Sequence, residues 1–298
     1  LFDVLLAWGV LRLVRRLVPH RPGRGAVAFC ISLLLPTVVL NGAVWAQCDS
    51  IYAALVLHAL SCALEKRPGL SVVLLSLAFS FKLQAIFLVP LWCVFWYTGR
   101  VKFRHLFLFP AAYAGAMLPA VLLGKPLKDV LGIYLDQAGS QAQHAYLNFN
   151  SPSIFGFLPY RAQVNEALFS NLGILAAFLL VLALLALLFP LRRRLSDQAL
   201  LAAALAMAVG VPFFLPYMHE RYFFLADMIS LIWACTLPRR IPQAAAVQAA
   251  SLGGYHAYLR GRYALPLSLF GVTFSMALES ALMLLGLGSA LILLWRLS

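Results

Sequence analysis

The chain has 298 residues, of which 63% are hydrophobic and only 11% charged. Soluble domains carry about 25% charged residues, so this composition excludes an ordinary water-soluble enzyme and points to an integral membrane protein. The net charge of +13 raises nucleic acid as a partner, but the placement of the basic residues argues against it.

Residues 2–18 read as a first span that ends in the basic loop 12–24. It opens at Leu1 directly in apolar sequence, with no signal-peptide pattern, so a preceding portion of the natural protein is expected. Ala26–Val44 returns to the opposite side and delivers Trp45–Asp49 there. Ile51–Leu64 goes back to Glu65-Lys-Arg-Pro-Gly. Leu70–Tyr97 is an apolar stretch of 28 residues with Lys82 and Gln84 in its middle. One long tilted helix would put one of its flanking basic loops on the wrong side. A hairpin turning at Lys82-Leu-Gln84 keeps both loops on one side and is preferred. Its two arms are short for a bilayer, which is tolerated where helices line a polar cavity.

Phe103–Leu123 then crosses outward. Residues 124–170 are the one long polar segment, holding Lys125, Lys128, Asp129, Asp136, His144, Arg161 and Glu166 around a turn-rich centre, Asn148-Phe-Asn-Ser-Pro-Ser. Within it, Val130, Ile133, Tyr134 and Gln137 have helical spacing, which predicts an interfacial amphipathic helix over 127–141. Leu172–Phe189, Ala199–Pro216, Tyr222–Leu237, residues 242–258 and residues 272–295 complete about eleven candidate spans. The expected fold is therefore all-α, a single polytopic helical bundle over 1–298 with an extracytoplasmic loop at 124–170. No period-two alternation suggests a barrel.

Sixteen of the 23 Lys and Arg lie in the short loops: Arg12, Arg15, Arg16, Arg21 and Arg24, then Lys66 and Arg67, then Arg100, Lys102 and Arg104, then Arg192–Arg194, Arg239, Arg240 and Arg296. The positive-inside rule assigns such loops to the cytoplasm. Membrane lipid, anionic on that face, is their expected partner, and nucleic acid is not. The five cysteines are scattered, with no CxxC and no metal spacing, and read as small packing residues.

The informative polar residues form two islands, Asn41-Gly-Ala-Val-Trp-Ala-Gln-Cys-Asp49-Ser and Pro216-Tyr-Met-His219-Glu220-Arg221-Tyr-Phe-Phe. Under this topology both lie on the non-cytoplasmic side. Charge beside a span is costly and needs a reason. Asp49 precedes an apolar run and reads either as an N-cap or, with Gln47, as a hydrogen-bonding partner for a substrate hydroxyl. Trp45 is either an interface anchor or a stacking surface for a sugar. Lys82, with Gln84 beside it, either snorkels or meets a phosphate as a point charge. Arg221 either pairs with Glu220 at a helix end or, with His219, holds a phosphate oxygen. Glu220 and Asp227 are seven apart and are expected on one helix face. His144 reads as a solvated loop histidine; His58 and His256 read as packed or hydrogen-bonded. No nucleotide-binding or zinc-protease motif occurs.

Three strings in order carry a resemblance: Leu40-Asn-Gly-Ala-Val-Trp-Ala-Gln-Cys-Asp-Ser-Ile-Tyr, Leu77-Ala-Phe-Ser-Phe-Lys-Leu-Gln-Ala-Ile-Phe-Leu-Val-Pro, and Pro216-Tyr-Met-His-Glu-Arg-Tyr-Phe-Phe. Together they resemble the bacterial membrane mannosyltransferases related to GPI mannosyltransferase II, in the GT-C glycosyltransferase class. That family has Gly where this chain has Ala46. The resemblance implies a polytopic enzyme of the bacterial inner membrane that moves a hexose, mannose by the likeness, from a polyprenyl-phosphate sugar to a lipid or glycan acceptor on the extracytoplasmic face. It implies a catalytic carboxylate in a first extracytoplasmic loop. No such loop precedes residue 40, so the base is expected to be missing from this chain or to lie elsewhere, and the catalytic residue stays unassigned. Trp45, Gln47, Asp49, Lys82, Gln84, His219, Glu220 and Arg221 are the expected substrate-binding residues. No cofactor is implied by a motif; a divalent metal stays open, with no ligand cluster demanding one. A transporter or lipid-linked-sugar flippase is the alternative class. It would place its polar residues at the midplane of inverted repeats, which this sequence does not display; a structural membrane subunit is the third reading.

Overall fold

The computed structural model describes residues 1–141, 146–159 and 165–297. His144 and Arg161 lie outside the described residues. Among the described residues fourteen α-helices follow one another: α1 (Phe2–Leu17), α2 (Gly23–Leu34), α3 (Pro36–Val39), α4 (Asp49–Leu64), α5 (Pro68–Phe81), α6 (Pro90–Tyr97), α7 (Phe103–Leu106), α8 (Leu108–Leu122), α9 (Leu127–Gln141), α10 (Glu166–Leu188), α11 (Asp197–Phe214), α12 (Phe224–Thr236), α13 (Ile241–Arg260) and α14 (Phe274–Leu297). Among the described residues the strands are β1 (Asn148–Phe149) with β2 (Met218–His219), which are parallel, and an antiparallel pair, β3 (Ser268–Leu269) with β4 (Val272–Thr273). The protein is an all-α membrane protein.

Of the eleven expected crossings, four meet the length and apolarity of a crossing: Phe103–Leu122, Glu166–Leu188, Asp197–Phe214 and Phe274–Leu297. A fifth is counted if Gly23–Leu34 and Pro36–Val44, bent by 45°, form one broken span. Pro36 sits at that bend, where a proline ring cannot continue the helix. The remaining expected crossings fall short in apolarity or in length: α13 has 20 residues but carries Gln243, Gln248, Ser251 and His256. The helix α4 has 16 residues and α5 has 14, against about 20 for an independent crossing.

Burial sorts the helices into a centre and a rim. Asp197–Phe214 is 83% buried along its crossing window, whereas Phe103–Leu122 has no buried residue there. The centre is possible because α11 is rich in alanine (Ala199, Ala202, Ala203, Ala204, Ala206), and small side chains let helices approach closely. The adjoining α12 is buried almost throughout. The rim helix α10 instead shows Leu172, Leu175, Leu179 and Leu182 on its surface, as a lipid-facing helix does.

The hairpin expected at Lys82 is present. The indole N–H of Trp92, in α6, donates to Ser71 Oγ near the start of α5 at 3.0 Å, so the chain doubles back between them. It does so through an extended residue, Lys82, and a 3₁₀ segment, Leu83–Leu88. The basic loops consequently gather at one end. Arg12 pairs with Glu65 at 2.6 Å. Arg16 and Arg100 share Asp197 at 3.0 and 2.7 Å. Arg24 donates to the carbonyls of Cys235 and Thr236 at 3.4 Å. The expected helix over 127–141 is α9, tied to the opposite end by Tyr134, whose hydroxyl donates to the Ser80 carbonyl at 3.0 Å.

Candidate active site

The first island is shaped by an irregular turn. After α3 the backbone widens into a π-helical turn, Leu40–Val44, a local feature that re-aims side chains. Trp45 N–H donates to the Leu40 carbonyl at 2.9 Å, and Gln47 N–H to the Asn41 carbonyl at 2.8 Å. Between them Ala46 is left-handed, with φ of 55°. A β-carbon is strained in that region and glycine is not, which accounts physically for a glycine at this place in the resembling proteins.

The turn points Asn41 inward, where it is fully buried. Its amide Nδ2 donates to Asp49 Oδ2 at 2.7 Å and to the Tyr255 hydroxyl at 2.9 Å. Asp49 is 1% exposed and forms an ion pair with Lys82. Two sequence readings need correction here. Asp49 stands in the first turn of α4 without capping it; its oxygens are committed to Asn41 and Lys82 instead. Lys82 does not snorkel: its ammonium is turned inward to Asp49, 5.9 Å from the Tyr52 ring centroid. Gln84 is buried and its Oε1 has no hydrogen-bond partner among the described residues. Gln47 is half-buried, anchored through its backbone.

The second island follows the end of α11. Pro212 lies in the last turn and Pro216 just beyond it, and Tyr217 takes φ of 61°. The chain then pairs as β2 with β1, which sets the His219 ring parallel to Phe149 at 4.8 Å. A 3₁₀ turn, Glu220–Phe223, precedes α12. Glu220 and Asp227 therefore do not share one helix, contrary to the spacing argument. Both face α13: Ser251 Oγ donates to Asp227 Oδ2 at 2.9 Å, and a β-carbon on Gly254 would come within 3.1 Å of Glu220 Cβ.

Glu220 is fully buried, with Arg221 Nη1 donating to its Oε1 at 3.2 Å. Burial pushes the Glu220 carboxyl up to about 7, against the opposing pull of Arg221. Its Oε2 and the Arg221 Nε are buried without a hydrogen bond among the described residues. His219 Nδ1 is 3.9 Å from the same carboxylate.

The two islands meet at an aromatic face. The Arg221 guanidinium lies 4.9 Å over the Trp45 ring and 5.8 Å from the Tyr222 centroid. Trp45 in turn stacks on Tyr258 at 4.2 Å and meets Tyr255 edge-on at 5.9 Å. One compact region thus holds two paired carboxylates, two inward-turned cations and an aromatic platform. Such a set offers donors to an anionic oxygen and a flat face to a sugar ring.

The family model for glycosyltransferase family 87 matches residues 1–216. The chain belongs to glycosyltransferase family 87. This family 87 protein is accordingly a membrane glycosyltransferase of the GT-C type, and the transporter and flippase reading is not favoured. The matching family is family 87 itself, not the GPI mannosyltransferase II relatives that the three strings resemble. The match covers the first island and Lys82–Gln84 and stops at Pro216, where the second island starts. Comparison with curated proteins gave no significant match.

Several residues of the region carried no role in the sequence reading. Asn41, Tyr52, Tyr222, Tyr255, Tyr258 and Phe149 are brought in by the fold. Asn41 had a signal: it opens the first island beside a Gly. Tyr52 and Tyr222 stand within the quoted strings; Tyr255 and Tyr258 have no signal, because they lie more than 200 residues from Trp45 in sequence. Asp3 also belongs here. It accepts a hydrogen bond from Ser50 Oγ, and a β-carbon on Gly42 would sit 3.4 Å from its Oδ2. Among the described residues no three of His, Cys, Asp and Glu come together as a metal site requires.

Proposed function

We propose that this family 87 protein moves a hexose, with mannose favoured by the resemblance of its three strings, from a polyprenyl-phosphate sugar to a lipid or glycan acceptor. The reaction takes place on the extracytoplasmic face of the bacterial inner membrane, opposite the arginine-rich end. The single observation that carries the reading is the Arg221 guanidinium. It lies over Trp45 while its buried Nε has no hydrogen bond among the described residues.

The chemistry follows from these residues. Transfer leaves negative charge on the departing lipid phosphate, and fixed cations aimed at that charge lower the barrier. Arg221 presents a planar fork suited to two phosphate oxygens, with His219 as a second donor. Glu220 holds the fork in plane. Trp45 stacks on the sugar, and Gln47 orients a hydroxyl from its half-buried position. Asp49 keeps Lys82 turned inward, and Gln84 supplies a buried carbonyl. A general base must also take the acceptor proton; none of these residues is assigned that role.

The test is binding of a polyprenyl-phosphate mannose to the purified full chain in nanodiscs. Arg221→Ala should weaken it about tenfold to a hundredfold, the loss expected for a charged hydrogen bond. Arg221→Lys should not restore it, because the fork is lost. If Arg221 only braces Glu220, Arg221→Ala lowers the yield of folded protein and leaves affinity intact, which refutes the phosphate role. The glucose analogue binding as well as the mannose form would overturn the sugar assignment alone.

A further inference from the structure

The arginine-rich end carries a groove whose lining shares no residue with the candidate active site. A groove of about 770 Å³ runs between α1 and α2 and reaches the end of α4 at Glu65. Its upper walls are apolar, formed by Val4, Trp8, Leu11, Ala26 and Phe29, and its lower end is closed by Arg12, Arg15 and Arg16. Trp8 and Val4 are 55% and 47% exposed, so the apolar part opens sideways, toward lipid. Val4 and Arg15 are eleven residues apart on one helix, about 16 Å along its axis. That is about the depth of one leaflet, half of a hydrocarbon core of roughly 30 Å.

The three arginines are not equivalent. Arg12 is committed to Glu65 and His58, at 2.6 and 2.7 Å. Arg16 is committed to Asp197 at 3.0 Å. Arg15 has no carboxylate partner among the described residues, although it stands between them in sequence. Its stem is also steered. A β-carbon on Gly25 would fall 2.7 Å from Arg15 Cγ, so the glycine lets this side chain lie across α2 at the foot of the groove. An unmatched guanidinium at the bottom of an apolar slot one leaflet deep is complementary to an anionic amphiphile.

We propose that this groove is a binding site for one anionic phospholipid of the leaflet at the arginine-rich end. One acyl chain lies along Trp8 and Phe29, and the phosphate accepts hydrogen bonds from Arg15. Its phosphate contact, Arg15, is at the arginine-rich end, whereas the proposed donor contact, Arg221, is at the island end. It also separates a specific lipid from the diffuse attraction that any basic loop exerts on an anionic surface, which falls off within a Debye length.

Native mass spectrometry of the full chain, titrated with phosphatidylglycerol or phosphatidylcholine, tests it. One phosphatidylglycerol should be retained about tenfold or more tightly than phosphatidylcholine, the scale of one charge-assisted contact. Arg15→Gln should erase that preference, Arg15→Lys should keep part of it, and millimolar inorganic phosphate should leave the lipid in place. An unchanged preference in Arg15→Gln overturns the proposal, as does a dimer with no retained lipid, which would mean a second copy fills the groove. A readout on the unmodified groove guards against a variant that fails to fold. Acyl-brominated phosphatidylglycerol should quench the Trp8 fluorescence, taken as wild type minus Trp8→Phe, more strongly than the brominated choline lipid. Equal quenching would show ordinary hydrocarbon contact and refute the site.

Discussion

At the arginine-rich end, Arg16 and Arg100 share Asp197 with side chains 45% and 24% exposed, while the acid itself is 21% exposed. At the island end, Asp49 and Glu220 are each 1% exposed, and their partners Lys82 and Arg221 are 14% and 20% exposed. The same residue types therefore carry different weight. Where water reaches a pair, screening and side-chain entropy leave it worth at most about 1 kcal/mol. Where water is excluded, each member holds its partner in place, because removing one leaves an uncompensated buried charge. The first end is a surface that water reaches. The second is an internal polar construction whose loss is felt by the whole fold.

The sharpest way to break this contrast is at Asp49. Asp49→Ala strands Lys82 and Asn41, and is expected to cost about 3–5 kcal/mol, read as a large drop in thermal midpoint of the purified protein. Asp49→Asn with Lys82→Met removes both charges and should cost much less than the sum of the single changes. Additive effects would mean that the two groups are not coupled.

Glu220 gives the next largest effect, and its sign is fixed by the direction of its shift. Its carboxyl is raised from an ordinary 4.5 to about 7 in the folded chain. Between those values the folded state holds a proton that the unfolded state has released. Stability from this group is therefore present below about pH 4.5 and lost as pH rises through about 7, by up to about 3 kcal/mol. Glu220→Gln should flatten that decline in melts run from pH 5 to pH 8. A wild type equally stable across the range would count against a buried, protonatable Glu220.

Ala46→Gly should stabilise the first island by about 1 kcal/mol, since the relief of a left-handed alanine exceeds the entropy that glycine adds to the unfolded chain. A lower thermal midpoint would mean that the turn relaxes when altered. The smallest effect belongs to the other end. Arg16→Ala should change stability by about 0.5 kcal/mol, and less at high salt; a loss like that of Asp49→Ala would erase the distinction between the ends.

How much of this was legible follows the range of each interaction. The hairpin at Lys82 and the helix over 127–141 came from local pattern and charge bias, and α5, α6 and α9 realise them. Span number was less legible. Short apolar runs such as Asp49–Leu64 look like crossings in sequence but lack the length of one. In the candidate site, the island residues are visible because charge among apolar residues stands out. Their pairing is not: local sequence points Lys82 toward phosphate or solvent, and it faces Asp49, 33 residues earlier.

By itself the sequence showed that the chain belongs in a membrane, that most of its arginines fall in short loops expected on one side, and that polar residues cluster in two islands. These are properties of composition and local order, set by the cost of charge in hydrocarbon. Only the tertiary structure decided which charge meets which, that Asn41 ties Asp49 to Tyr255, and that Arg221 lies over Trp45. Those contacts join segments up to 214 residues apart. They depend on how the alanine-rich α11 and the buried α12 let the surrounding helices close, which no short stretch of sequence contains.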